Sequence, residues 1–455
     1  MHPLEFIEFT INNWLLLMLS ILICILSLLF LFRKYTPLSI YDPFHFFFSF
    51  TMGTTYGELI ILYLKGYISD ILFGKILSIN MIFIFSLLIL KKIKIKYPLN
   101  IALFSIHNKY EKLFFNVILF FFFSSSLFLL IKTGPLIFYE SRFEAVKSLG
   151  AFKRVFDVLR LFVIGMITIR IVDEKNKVRK TIWILFLLVI ILFSSILNGA
   201  KFAFLESFYI VLLSYALYKG RFKISLVKAI IILFISTIFA LFVLYVQSIK
   251  SSNTISIYET NYVVLERFVH RVLDNGDQMY MLLPNDVIEN IKVNNPVITF
   301  VAPFVGSTNL SKLLGYNVND YNVGRQTILY HYPSYEIAGG PTSHFDLFAY
   351  KYFGYIGALI FTIIIAFILN YILFLVKYTY SLNLLIKNRT LPVIVGTLWL
   401  RGLATILEPS IGIAHIFDVI SVFFILKVFT LIIGRSHGKE SNSNSSNIQS
   451  RYSRI

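Results

Sequence analysis

The sequence predicts an all-α, polytopic membrane protein, and three observations carry that expectation. Of 455 residues, 57% are hydrophobic, 17% aromatic and only 15% charged, with a mean hydropathy of +0.76, a balance outside that of soluble globular chains. Apolar runs of roughly 20 residues recur along most of the chain, each long enough to cross a hydrocarbon core of about 30 Å. Lys and Arg gather in the short connectors between those runs, as membrane topology demands. In a soluble chain, 42 Lys and Arg against 24 Asp and Glu, a net charge of +18, would suggest nucleic acid. Here topology explains the excess, and no nucleic acid is expected as a partner.

The first run, 14–32, follows Glu5 and Glu8 where a signal peptide would be basic, is longer than a signal-peptide core, and is followed by Arg33 and Lys34. It reads as a retained anchor with the N-terminus outside. Cys24, the only cysteine, lies within it, so no disulfide framework or Cys-based metal site can form within one chain. Further spans are expected at 44–64, 70–90, 113–131, 155–172, 181–198, 202–218, 226–247, 352–376, 390–408 and 413–433. The total is about eleven helices, within a range of about 10 to 13.

With the N-terminus outside, every strongly basic connector falls on the cytoplasmic side: Arg33 and Lys34; the cluster from Lys91 to Lys112; Lys175 to Lys180; Lys219 to Lys223; and Lys377, Lys387 and Arg389. The same threading divides the chain into eight helices over 1–247, with a short outer segment at 132–154, a large extracytoplasmic loop over 248–343, three helices over 344–434 and a tail over 435–455. The loop carries six basic and eight acidic residues, a net charge of −2. The tail, Ser/Asn-rich from Ser441 to Asn447, is expected to be disordered and cytoplasmic. No internal repeat of the kind that builds many transporters relates one half of the chain to the other.

No Walker A loop, HExxH or GxSxG is present, so nucleotide hydrolysis and zinc proteolysis lack their usual parts. What the outer segments do contain is cations: Arg142 and Arg154 before the fifth helix, Lys201 at the start of the seventh, and Arg267, Arg271 and Arg325 in the large loop. If they converged they would suit a diphosphate, since Arg grips phosphate oxygens in a bidentate fashion and Lys supplies a point charge. Arg267 and Arg271 stand four apart around His270, so one helical turn could present both guanidinium groups together; a solvated amphipathic helix would look the same. Gly339-Gly340-Pro341-Thr342-Ser343-His344-Phe345-Asp346 sets an imidazole and a carboxylate just before an apolar helix, where a base could be poised at the membrane surface. His331, in a loop, is a weaker candidate for substrate contact. Charges within expected spans are costly unless paired or wet, which marks Glu58, Asp157, Arg160, Glu206, Arg401 and Asp418. Asp157 and Arg160, three apart, are expected to neutralise each other, and Arg401 and Glu408, seven apart, could line a cavity. Such residues would also serve a proton-coupled transporter.

Three segments together carry a family resemblance: Pro37-Leu38-Ser39-Ile40-Tyr41-Asp42-Pro43, Asn198-Gly199-Ala200-Lys201-Phe202-Ala203-Phe204-Leu205-Glu206, and Phe353-Gly354-Tyr355-Ile356-Gly357. With the hydropathy and loop order, the chain resembles the O-antigen polymerases, the Wzy-type polymerases of bacterial surface polysaccharide repeat units. The resemblance implies a GT-C-like helical bundle in the bacterial inner membrane. It also implies a metal-independent reaction needing no cofactor, in which a glycan on undecaprenyl diphosphate is moved as a block onto a fresh lipid-linked repeat unit and the donor's diphosphate lipid is released. The product would be a surface polysaccharide, O-antigen or capsule. Many relatives carry Arg where this chain has Lys201, which keeps the charge but not the bidentate geometry.

On this reading Arg142, Lys201, Arg267 and Arg271 bind the departing diphosphate, one of His344, Asp346 and Glu336 accepts the proton of the attacking hydroxyl, and Arg325, His331 and His270 contact substrate. The implied partners are the lipid-linked glycan donor and acceptor, membrane lipids and a chain-length regulator. An O-antigen ligase, a flippase or transporter of lipid-linked oligosaccharide, and a scaffolding subunit remain alternatives.

Overall fold

The fold is known from a computed structural model, which describes residues 2–91, 101–139, 145–146, 149–199, 202–220, 273, 279–335, 340–382 and 388–452. Among these residues the regular structure is entirely helical. The helices are α1 (Pro3–Asn12), α2 (Trp14–Phe32), α3 (Thr51–Leu64, entered through a π-helical turn His45–Phe50), α4 (Asp70–Leu90), α5 (Glu111–Thr133), α6 (Gly150–Asp173), α7 (Lys177–Asn198) and α8 (Ala203–Lys219). Beyond them lie α9 (Pro296–Val305), α10 (Ser307–Leu314), α11 (Val323–His331), α12 (Phe345–Leu382), α13 (Thr390–Gly402) and α14 (Pro409–Tyr452).

Seven helical segments among the described residues are long and apolar enough to cross a membrane, which makes this a multi-pass membrane protein. Helices also stand at three further expected positions: 45–64, where a π turn divides the span, α6, which carries several charges, and α8, which is only 17 residues long. The span expected at 226–247 lies outside the described residues. The helical backbone of α14 runs on to Tyr452, through most of the segment expected as a disordered tail.

Local chemistry sets the ends and approaches of these helices. The Ser69 hydroxyl accepts from the Leu72 N–H at 3.3 Å and the Asn176 side-chain Oδ1 from the Val178 and Arg179 N–H groups at 2.9 and 3.2 Å, capping α4 and α7. Gly53 and Gly57, four apart on α3, lie so close to α2 that a Cβ on either would stand 2.5–2.9 Å from Ile25 or Ile21. This is the small-residue helix contact typical of membrane bundles. α7 ends at Gly199, whose left-handed φ of 66° suits glycine; a Cβ there would also meet the Leu136 backbone at 2.5 Å.

Polar contacts fix which helix ends lie together. Arg389, at the start of α13, reaches Glu111 at the start of α5 and Asp173 at the end of α6, and the Tyr218 hydroxyl near the end of α8 donates to Asp173 at 2.7 Å. These ends adjoin the basic connectors, and we term them the basic end. The start of α6, the end of α7, the start of α8 and the end of α13 therefore meet at the opposite end.

α12 is not one continuous helix. At Gly354 (φ 67°, ψ −179°) the backbone leaves the helical region and the chain reverses. Ahead of the break the half-helix Phe345–Phe353 runs antiparallel to α4: the Phe345 ring lies 4.0 Å from that of Phe83, Asp346 bonds Asn80, and Tyr350 bonds Lys75. After the break Tyr355 bonds Ser78 and the helix runs back beside α4. Asn80 is ten residues into α4, about 15 Å along it, so the chain enters the bundle before Phe345 and climbs out again. Irregular backbone at such depth is tolerated only when buried in protein. Glycines permit it here: a Cβ on Gly340 would stand 2.6 Å from the Arg325 backbone, and one on Gly324 would collide with the Pro341 carbonyl.

Candidate functional site

Two buried polar networks result. The first lies at the end opposite the basic connectors, where α6, α7, α8, α13 and α14 meet. Arg160, fully buried on α6, bonds Glu206 through Nη2 and donates from Nη1 to the Ala203 carbonyl at 2.7 Å and the Ser207 hydroxyl at 3.4 Å. Arg401, from α13, donates to the other oxygen of the same Glu206 carboxylate at 3.0 Å. One carboxylate thus bridges two guanidinium groups from separate helices.

Around this core, Asp157 accepts from Lys153 at 2.8 Å and from Asn198, while Arg154 donates to Asp418 of α14 at 2.7 Å. The expected pairing of Asp157 with Arg160 is therefore corrected. A three-residue spacing permits the contact, but helix packing offers Arg160 a better-placed carboxylate on α8 and leaves Asp157 to Lys153 and Asn198. Among the described residues, Lys153, Arg154, Arg160 and Arg401 stand together with the carboxylates of Asp157, Glu206 and Asp418. The buried Nε atoms of both Arg160 and Arg401 find no hydrogen-bond partner among the described residues, which leaves two buried donors with nothing to bond. Such an arrangement suits an anionic ligand, and guanidinium groups suit phosphate oxygens in particular.

Glu408 lies in the break between α13 and α14, where the chain is extended (φ −154°, ψ 98°). Arg401 and Glu408 are thus not on one continuous helix, because α13 stops at Gly402 and a separate turn, Ala404–Leu407, intervenes. Burial pushes the Glu408 carboxyl up to about 7, the range in which a carboxylate accepts and returns protons at neutral pH.

The second network surrounds the half-helix of α12. Asp346 accepts from the Asn80 amide at 2.8 Å and from its neighbouring Leu347 N–H at 2.9 Å; Asn80 in turn accepts from the Tyr56 hydroxyl at 3.1 Å. His344 Nδ1 lies 3.4 Å from the Thr55 hydroxyl, and Glu58 accepts from the Tyr280 N–H at 2.7 Å. His344 and Asp346 are 1% and 0% exposed. Instead of standing at the membrane surface, as expected, they are sealed between α3 and α4, because the segment that carries them turns into the bundle.

Two other expected site residues hold the loop together. Arg325 is buried, donates to the Tyr335 carbonyl at 2.7 Å and lies 3.7 Å from Asp320. His331 Nε2 lies 2.8 Å from the Met281 carbonyl and its ring meets that of His2 edge-on, with burial lowering its affinity for a proton. Arg142, Lys201, His270, Arg267, Arg271 and Glu336 lie outside the described residues. Among the described residues no three His, Cys, Asp or Glu side chains gather as metal ligands. The residues of the bridged arginine cluster were visible in the sequence as charges within apolar spans, but nothing in their spacing shows that Glu206 joins Arg160 to Arg401. Comparison with known proteins gives no match: no family model, no curated protein and no solved structure is similar to the chain.

Proposed function

We propose that the chain polymerises undecaprenyl-diphosphate-linked oligosaccharide repeat units into a surface polysaccharide at the outer face of the bacterial inner membrane. Beyond the sequence resemblance, the observation that carries this reading is the Arg160–Glu206–Arg401 bridge, with two buried guanidinium nitrogens that find no hydrogen-bond partner among the described residues. It lies at the end away from the basic connectors, which the positive-inside rule makes extracytoplasmic.

As the sugar–phosphate bond breaks, charge grows on the leaving diphosphate. Preorganised cations in a water-poor site stabilise that charge by about 3 kcal/mol or more per good donor. Arg160 and Arg401 supply the fixed donors, and Lys153 and Arg154 supply further positive charge. The attacking sugar hydroxyl gives up its proton to a carboxylate, for which Glu408 is the best-tuned described candidate. Because donor and acceptor are both tethered to lipid, a site built into the bundle meets them in the plane where they diffuse. On this reading the N-terminus is outside and the C-terminus cytoplasmic, and the bundle is of the GT-C type.

The test is to incubate the purified protein with a lipid-linked repeat unit and resolve the products by size. A ladder supports the reading; unchanged substrate, or transfer only to a lipid A core acceptor, contradicts it. A flippase of lipid-linked oligosaccharide is favoured instead by the carboxylates sealed within the bundle, Glu58 and Asp346, and would move labelled substrate across vesicles without extending it.

A further inference from the structure

At the basic end, a shallow groove opens between the ends of α4 and α12, walled by Leu90, Phe367, Tyr371 and Phe374, with Lys91 and Lys377 at its rim. Both ammonium groups face one ring: Lys91 Nζ lies 5.4 Å and Lys377 Nζ 5.6 Å from the centroid of Tyr35. That ring is fixed, since Tyr35 is 1% exposed and its hydroxyl donates to Asn370 Oδ1 at 2.9 Å. Lys91 is held in addition by the Lys34 carbonyl at 2.7 Å.

Two like charges are therefore gathered at one place, and among the described residues no ion pair joins either lysine to a carboxylate. The buried acid Asp42 acts on Lys377 only through the field, because its hydrogen bonds come from the Phe44 N–H and the Trp399 indole at 2.9 and 2.8 Å. The adjoining connectors add Arg33, Lys34, Lys92, Lys94, Lys96 and Lys387 in sequence. Below the lysines the wall is apolar and continues into a face that points away from the bundle: Phe367 is 51% and Ile360 58% exposed. A small soluble anion would satisfy the rim and leave that wall unused. An amphipathic anion satisfies both.

We propose that this groove binds an anionic phospholipid of the adjoining leaflet, its phosphate between Lys91 and Lys377 and its acyl chains against Phe367 and the exposed face of α12. The site is separate from the arginine cluster and does not depend on the polymerase reading.

The experiment is native mass spectrometry of the full chain in detergent, titrated with phosphatidylglycerol or phosphatidylcholine. Two lysines at the headgroup level are expected to favour phosphatidylglycerol on the order of 30-fold. K91Q/K377Q should bring the two lipids level, whereas K91R/K377R and K65Q, a lysine placed elsewhere over Phe9, should keep the preference. Equal binding of both lipids by the unaltered chain, an undiminished preference in K91Q/K377Q, or full displacement of phosphatidylglycerol by equimolar inorganic phosphate would each overturn the proposal; the last would mark a site for soluble anions. If the double variant does not fold, K91Q alone decides, by losing part of the preference or keeping all of it.

Discussion

The two ends of the bundle hold the same kinds of residue and use them differently. At the basic end Arg389 is 48% exposed and meets two carboxylates, Glu111 at 3.5 Å and Asp173 at 2.7 Å, on two other helices. That half-exposed pairing is screened by water. At the opposite end Arg160 is fully buried and Arg401 nearly so, and they share one carboxylate. The first arrangement is a strap across helix ends. The second leaves two buried guanidinium Nε donors without a hydrogen-bond partner among the described residues, which on the proposed reading the substrate's diphosphate would engage.

The largest effect that would separate the two ends is on stability. Glu206→Gln leaves two buried guanidinium groups without their carboxylate and should cost about 3 to 5 kcal/mol, read as a fall in the thermal unfolding midpoint in detergent. Arg389→Gln at the exposed strap should cost about 1 kcal/mol or less; equal losses from the two would erase the distinction. Next comes activity. Arg401→Lys retains the charge but loses the planar fork and should slow chain extension by about 100-fold while the protein still folds, whereas Arg389→Lys should leave extension unchanged.

A smaller effect comes from pH. Burial raises Glu408 to about 7, so a base at that position works only when deprotonated, and extension should rise with pH through about 7 and level off above it. Glu408→Gln should flatten that limb; a rising limb that survives the substitution would assign the proton to another group. In the second network, Asn80→Leu removes the amide donor of buried Asp346 and should destabilise by about 1 to 3 kcal/mol. A loss of extension far beyond that loss of folded protein would give the second network a direct part in the chemistry.

Much of the bundle could be read from the sequence because bilayer thickness dictates run length. α2 and α4 occupy 14–32 and 70–90, as expected, and the ends of α5 and α7 differ by a few residues. The reversal at Gly354 could not be read that way. Hydropathy sums residues regardless of direction, so a half-helix that climbs and a full helix that descends look like one long apolar run, although Gly354 stands in the motif singled out for the resemblance. The same reversal explains why His344, expected at the surface, is buried against Thr55. The charges of the arginine cluster were conspicuous individually, yet their pairing depends on how α6, α8 and α13 pack, and local spacing pointed to Asp157 as the partner of Arg160. Arg325 and His331 were expected to contact substrate because nothing in sequence reveals that backbone carbonyls of Tyr335 and Met281 engage them.

The most direct measurement is the rate of ladder synthesis by purified Arg401→Lys protein on a lipid-linked repeat unit, alongside its thermal unfolding midpoint. If the bridged arginines hold the diphosphate, the midpoint stays close to that of the unaltered protein and the ladder slows by about 100-fold. A normally folded Arg401→Lys protein that builds the ladder at full rate would contradict the account.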